Sequence, residues 1–388
     1  MSKLLVAFKG DAQRVALLED DRLVAYHQAR SALGPQVEDV YLGKANRVMK
    51  ALGAVFVRLQ DKEEGFLPFD EIPGGQVPRP GDTLLVQVKK PRIGDKAPYL
   101  TANIALPGRL ALLLPFDQGW RISRRIKDEE ARQRLSALGK RLCPAGMGLV
   151  LRDEAAQAQD QDIQDEVQAL LERWQDLQSR SQGLTAPAPV ASAPDLLTRL
   201  LREAKEPVES IVTDDEALAA PLGLPVHYAQ DPMQLYNVPR LVQRALRRRV
   251  LMDSGASLVI DPCEALTVID VNSAQKVHGK DRERTLLETN LEAARETARL
   301  LRLRRIGGIV LIDFIDMQTQ ADRDAVQAEL QQALQKDPNK CVIHGFTHLG
   351  MLEMTRKKND EALEARRLKP CPHCSGTGQR EDDPLDET

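Results

Sequence analysis

The sequence predicts a multidomain protein of mixed α+β and α/β class. Three observations carry that reading. The chain has 388 residues, more than one ordinary domain needs and enough for two to four. Between Val37 and about Pro107, short strand-like runs are cut by glycines and prolines, the pattern of a small β-barrel of the OB type. From Leu266 to Ile312, a strand, a long amphipathic helix and an apolar strand follow one another, the order of a parallel pair joined by a right-handed crossover.

Taken in order, residues 3–27 alternate as strands do, with Asp20-Asp21 as a turn between Arg14–Leu18 and Leu23–Tyr26. The barrel strands are expected at Val40–Leu42, Ala54–Leu59, Gly65–Leu67, Thr83–Val88 and Tyr99–Thr101. Past Gly108 the pattern is mixed: a helix over Asp128–Lys140, a strand over Gly146–Leu151 and an amphipathic helix over Ile163–Gln178. Eight acids and one arginine lie between Asp153 and Leu177, a poor surface for a nucleic acid. A Pro/Ala linker is expected over Leu184–Pro194, then a helix over Leu196–Ala204 and a strand over Val208–Val212. A basic helix carrying Arg240, Arg244, Arg247, Arg248 and Arg249 follows; taken alone, it reads as a solvated face. The strands Leu258–Asp261 and Leu266–Asp270 flank a tight turn containing Pro262. In the helix Arg284–Arg305, Leu287, Leu291, Ala294, Ala298 and Leu301 form one apolar stripe. Gly307-Gly308 ends it before Ile309–Ile312.

The charges narrow the function. With 54 Lys+Arg against 57 Asp+Glu the formal net charge is −3, so no global basic excess advertises a nucleic-acid partner. Local patches matter more than that sum: residues 240–310 hold 14 basic and 9 acidic side chains. The apolar run Leu4–Phe8 is too short for a membrane span or a signal-peptide core. Cys143, Cys263 and Cys341 are isolated, which suggests no disulfide framework and a reducing cytoplasm.

Two constellations carry chemistry. The crossover brings the C-terminal ends of its two strands to one edge, about 5 Å apart for neighbours, so Asp270 and Asp313 converge and Asn272 points the same way. Two carboxylates and an amide form an oxygen-only set suited to Mg²⁺ or Mn²⁺. Capping of strand ends is the plainer role for the two acids. Asp316 is expected to cap a helix rather than to act as a third ligand. Near the end, Cys371 and Cys374 form a Cys-x-x-Cys knuckle. A structural zinc needs four ligands. Either His373 and a distant residue complete the set or a second chain supplies another pair; a redox pair and an unused turn are the alternatives.

At these residues the sequence resembles the ribonuclease E/G family of bacterial endoribonucleases. The likeness runs through Glu264-Ala265-Leu266-Thr267-Val268-Ile269-Asp270-Val271-Asn272-Ser273, Thr289-Asn290-Leu291-Glu292-Ala293-Ala294 and Leu301-Arg302-Leu303-Arg304. It continues in Gly307-Gly308-Ile309-Val310-Leu311-Ile312-Asp313-Phe314-Ile315-Asp316-Met317, in Leu352-Glu353-Met354-Thr355-Arg356 and in Cys371-Pro372-x-Cys374-Ser375-Gly376-Thr377-Gly378.

The resemblance implies an RNase H-like subdomain (1–34 and 185–245) interrupted by an S1-like OB domain (35–103) and a 5′-sensor-like region (104–184). A DNase I-like catalytic subdomain (246–368), a zinc link (369–378) and a disordered tail (379–388) follow. It implies Mg²⁺ on Asp270 and Asp313, with Asn272 orienting that site. Metal-activated water would then attack single-stranded RNA, leaving a 5′-phosphate and a 3′-hydroxyl, in ribosomal RNA processing or message decay. Phe56 and Phe66 match positions that stack on bases, and Lys96 a lysine at the RNA backbone. Cys371 and Cys374 would share Zn²⁺ with a second chain, giving a homodimer; the family's small assembly domain and degradation scaffold are expected to be missing. In the sensor, Gly108 and Arg152 match, Leu112 replaces a valine, Asp153 replaces a threonine and Lys340 replaces an arginine. A carboxylate at 153 repels phosphate, so a weak preference for 5′-monophosphate ends is expected. The rival readings are a non-catalytic RNA-binding protein on the same scaffold and, with less support, a metal-dependent DNase.

Overall fold

A computed structural model describes residues 2–10, 12–30, 34–60, 63–92, 96–218, 224–273, 282–358, 361–368 and 372. The zinc-link residues Cys371 and Cys374 and the tail 379–388 lie outside the described residues. Contacts divide the chain into two compact units. One holds Met1–Phe8, Arg14–Gln28 and Glu206–Thr388; the other holds Lys9–Gln13 and Ala29–Lys205.

The chain begins with β1 (Ser2–Lys9), β2 (Ala12–Glu19) and β3 (Arg22–Arg30). Asp20 and Asp21 both adopt positive φ, 48° and 60°, the backbone that a two-residue hairpin turn requires. The second unit then builds a barrel from β4 (Val40–Met49), β5 (Ala54–Gln60), β6 (Glu63–Pro68), β7 (Thr83–Lys90) and β8 (Tyr99–Thr101). The order β4-β5-β6-β8-β7 closes because β7 also pairs with β4. Its interior is filled by Val55, Val57, Leu59, Leu67, Val86, Val88 and Leu100. The expected OB-like barrel is therefore present, with strands longer than the sequence pattern marks.

The same unit continues through β9 (Leu106–Pro107), β10 (Ala111–Leu114), β11 (Gly119–Ile122), α1 (Glu129–Leu142), β12 (Gly148–Leu151), α2 (Asp160–Gln182), β13 (Ala188–Ala191) and α3 (Leu196–Glu203). The sheet β11-β12-β10-β9 buries its leucines against α1 and α2. The Pro/Ala stretch is not a bare linker: β13 pairs antiparallel with β4, Ala188 opposite Leu42 and Ala191 opposite Val40. Proline is tolerated there because β13 is an edge strand.

In the first unit, β14 (Val208–Thr213) and β15 (Val226–Tyr228) complete a sheet of order β15-β14-β1-β2-β3. Next come α4 (Pro232–Leu235), α5 (Val238–Ala245), β16 (Arg249–Leu251), β17 (Ser257–Pro262), β18 (Leu266–Asn272), α6 (Arg282–Arg304), β19 (Gly308–Asp313), α7 (Gln320–Ala333), β20 (Cys341–Phe346), β21 (Leu352–Arg356) and α8 (Leu363–Arg367). These strands form the sheet β16-β17-β18-β19-β21-β20. The basic helix is shorter than expected. It ends at Ala245, and Arg249 already pairs with Val259 in a strand, so ladder hydrogen bonds replace a further helical turn.

The sheet is two-faced. Along β18, Thr267, Ile269 and Val271 are buried and Leu266, Val268, Asp270 and Asn272 are half-buried. The stripe on α6 packs on the buried side. After α6 the chain reverses sharply. A Cβ on Gly307 would lie 2.9 Å from the Lys358 backbone, and Gly308 has φ 102°, so side chains are excluded at one position and strained at the other.

Candidate functional site

β18 and β19 are parallel neighbours, and Asp270 stands in register with Asp313 at their C-terminal ends. The two carboxylates therefore share the less-covered face and one edge. Asn272 Nδ2 donates to Asp270 Oδ2 at 2.6 Å, fixing that carboxyl group. No lysine, arginine or histidine pairs with either acid among the described residues. The Asp313 carboxyl is held above its ordinary range, first by desolvation and then by the charges of Asp270 and Asp316. Mutually repelling carboxylates without a basic partner are a donor set a cation would relieve. Among the described residues no group of three or more His, Cys, Asp or Glu is placed to hold a metal. Two carboxylates nevertheless suit Mg²⁺, which retains several waters.

The loop after β19 is tied from behind by Asn290, a fully buried residue of α6. Its Nδ2 donates to the Ile315 carbonyl at 2.8 Å and its Oδ1 accepts from the Ile315 N–H at 3.0 Å. That two-way bond sets the backbone between Asp313 and Asp316. Asn290 is thus a positioning residue; it falls within the Thr289–Ala294 stretch of the family resemblance, but its role was not singled out from the sequence. Asp316 is not a helix cap: Thr319 caps α7, accepting from Asp322 N at 3.1 Å, and Asp316 instead adds charge near Asp313.

In the second unit, Phe56 and Phe66 face each other across β5 and β6, half-buried outside the barrel core. Their ring centroids are 5.7 Å apart, and Tyr99 extends the row 6.1 Å from Phe66. Arg47 lies 4.8 Å over Phe56, and Lys90 lies 5.6 Å over Tyr99. An aromatic row flanked by cations can stack on unpaired bases. Tyr99 on β8 and Arg47 on β4 are members the sequence did not single out; alternation along their strands is the signal they carry. Lys96 is exposed.

The sensor-like segment carries an unexpected occupant. Glu166 of α2 accepts from the backbone N–H groups of Arg109 (3.0 Å), Leu110 (2.7 Å) and Ala111 (2.8 Å). Gly108 is needed beside it, since a Cβ there would collide with the carboxylate. Leu112 sits on β10 opposite Val150, and Arg152 donates to the Gly108 carbonyl at 2.6 Å. Asp153 bonds Ser123, Arg125 and Lys205. Burial works to raise its pKa, but those partners outweigh it and hold the carboxyl ionised below its ordinary range. Lys340 belongs to the other unit, where it is exposed and its carbonyl accepts from Lys357 N. The acid-rich run was legible, but not which of its acids turns inward.

The family model described as "Ribonuclease E/G family" matches residues 105–359. Ribonuclease E of Nostoc is 35% identical over 372 residues, covering 88% of this chain and 54% of that protein. The chain thus spans about half the length of that relative. Ribonuclease G of Haemophilus influenzae is 31% identical over 410 residues, covering 97% of this chain and 84% of that protein. Ribonuclease E of Escherichia coli is 31% identical over 411 residues, covering 97% of this chain and 39% of that protein. A match of that breadth, through both the barrel and the strands that carry the paired acids, means that the chain belongs to the Ribonuclease E/G family.

Proposed function

We propose that the chain is an endoribonuclease that hydrolyses single-stranded RNA at Asp270 and Asp313 with Mg²⁺, in cytoplasmic RNA processing or decay. The observation that carries the reading is the in-register carboxylate pair on an open sheet face, with no basic partner among the described residues. Bound there, Mg²⁺ supplies a lowered pKa for water and charge neutralisation at a phosphodiester. Hydrolysis of this kind leaves 5′-phosphate and 3′-hydroxyl ends. Asn272 holds one oxygen of Asp270 and leaves the other open, while Asn290 keeps the Asp313 loop in place. Cys371 and Cys374 offer half of a four-thiolate zinc set, which a second copy would complete as a homodimer.

The test is incubation of end-labelled single-stranded and duplex RNA with the full chain, in Mg²⁺ and in chelator, with the product ends mapped. Cleavage of the single strand only, dependent on Mg²⁺ and leaving ligatable 5′-phosphates, is the expected result. Binding with no cleavage under any divalent cation would make the protein an RNA-binding module instead.

Phe56→Ala and Phe66→Ala each weaken single-strand binding by about 1–3 kcal/mol, the worth of one base stack, read by fluorescence anisotropy. RNA bearing a 5′-monophosphate and RNA bearing a 5′-triphosphate should be cut at equal rates. The support is that Glu166 takes the backbone donors of residues 109–111. A large monophosphate advantage in a single-turnover assay would contradict this.

A further inference from the structure

Beside the carboxylate pair, on the β16 side of the same sheet, lies a groove of about 520 Å³ lined by Arg244, Arg247, Arg249, Val250 and Leu251. Arg244 comes from the last turn of α5, Arg247 from the turn after it, and Arg249 opens β16. All three are exposed, and none forms an ion pair with an acid among the described residues. Their neighbour shows the contrast: Arg248 turns away and bonds both oxygens of Asp261, at 2.5 and 2.7 Å. Attraction to the carbonyl end of α5 accounts for one last-turn arginine, but not for three converging on one groove.

The groove is built rather than incidental. The buried Arg304 donates to the Arg247 carbonyl at 2.6 Å, fixing the turn between helix and strand. Arg249 Nε donates to Ser257 Oγ at 3.0 Å, which anchors the guanidinium and leaves its terminal N–H groups for a ligand. Ser257 is in register with Asn272, so the arginine leans toward the strand ends that carry the acids. Arg249, Val259, Asp270 and Asp313 form one cross-strand row. Directly opposed residues share a sheet face, so Arg249 and the acid pair look out on the same side. At about 4.8 Å per strand, the Arg249 backbone is about 10 Å from that of Asp270. Leu251, 60% exposed, adds an apolar wall against which a ribose or base can lie.

We infer that this groove binds the backbone phosphates of a single RNA strand to one side of the bond cut at Asp270 and Asp313. The inference rests on the nuclease reading for its position and on the arginines for its chemistry. Planar guanidinium groups bind phosphate oxygens two at a time, and their contribution depends on salt.

The test uses the full chain in the cleavage-silent Asp313→Asn background and titrates an unstructured oligouridylate across salt concentrations. Arg244→Gln/Arg247→Gln/Arg249→Gln should reduce the slope of log affinity against log salt by about 2, since each single-strand phosphate contact contributes about 0.7. The corresponding triple lysine variant should keep most of that slope. With Asp313 restored, the glutamine variant should raise KM about tenfold or more and leave kcat within about twofold. An unchanged slope and KM in the folded variant would overturn the inference while leaving wild-type cleavage, and so the nuclease reading, intact. An equal fall in slope from Lys140→Gln/Arg141→Gln/Arg180→Gln would also overturn it, because the effect would then be one of net charge. Loss of binding to phosphatidylglycerol vesicles with RNA binding unchanged would reassign the groove to a membrane surface and overturn it too. A fall in slope in a protein that never cleaves RNA would uphold phosphate binding and remove only the nuclease reading.

Discussion

Asp313→Asn is expected to lower kcat for RNA cleavage by about a thousandfold or more, while single-strand affinity in chelator stays within about twofold of wild type. Removing one of two charges from a cation site forfeits several kcal/mol of transition-state stabilisation, and each 1.4 kcal/mol is a factor of ten in rate. The amide keeps the shape of the carboxyl group, and Asp313 is exposed at the end of its strand, so the fold has little to lose. It has something to gain. Asp313 carries an unfavourable ionisation caused by desolvation, Asp270 and Asp316, and neutralising it relieves that repulsion. The melting temperature in chelator should therefore hold or rise as activity falls. A variant that lost both activity and stability would show that Asp313 serves the strand end rather than the chemistry.

The second large effect concerns the back of the same sheet. Asp337→Ala should destabilise its unit by about 3–5 kcal/mol, because it strands a buried guanidinium. Arg356 Nε and Nη2 donate to the two oxygens of Asp337 at 2.8 and 3.0 Å, and Nη1 donates to the Ile306 carbonyl at 2.8 Å. Both residues are almost fully buried, with side-chain exposures of 3% and 2%. Arg356 closes β21, which pairs with the strand bearing Asp313. A fall of about 10 °C in melting temperature is expected for a unit of this size. Replacing both partners, Asp337→Ala with Arg356→Met, should recover part of the loss, since no unpaired charge is then buried. A single variant that melted with wild type would mean the pair is solvated and that Arg356 belongs to a ligand site instead.

What could be read from the sequence follows from how local each signal is. The convergence of Asp270 and Asp313 was legible because a right-handed crossover leaves the ends of parallel neighbours little freedom. The barrel was legible from punctuation, since glycines and prolines mark its turns more sharply than its strands mark themselves. Glu166 was not legible. It is one of eight acids in a run where seven others suit solvent equally well, and only the approach of residues 109–111 selects it. The end of the basic helix was missed because arginine spacing stays helical past Ala245, whereas pairing with β17 decides the backbone. Likewise, β13 looks like spacer until β4 supplies its ladder partner. In each case a contact distant in sequence overrode a local pattern.

The carboxylate of Glu166 also bears on which RNAs are open to attack. Those three amides are engaged from within and so are not free donors for a terminal phosphate. On the proposed nuclease reading, substrate choice is then expected to fall to unpaired stretches anywhere along the strand, with a covalently closed circle cut as readily as its linear isomer.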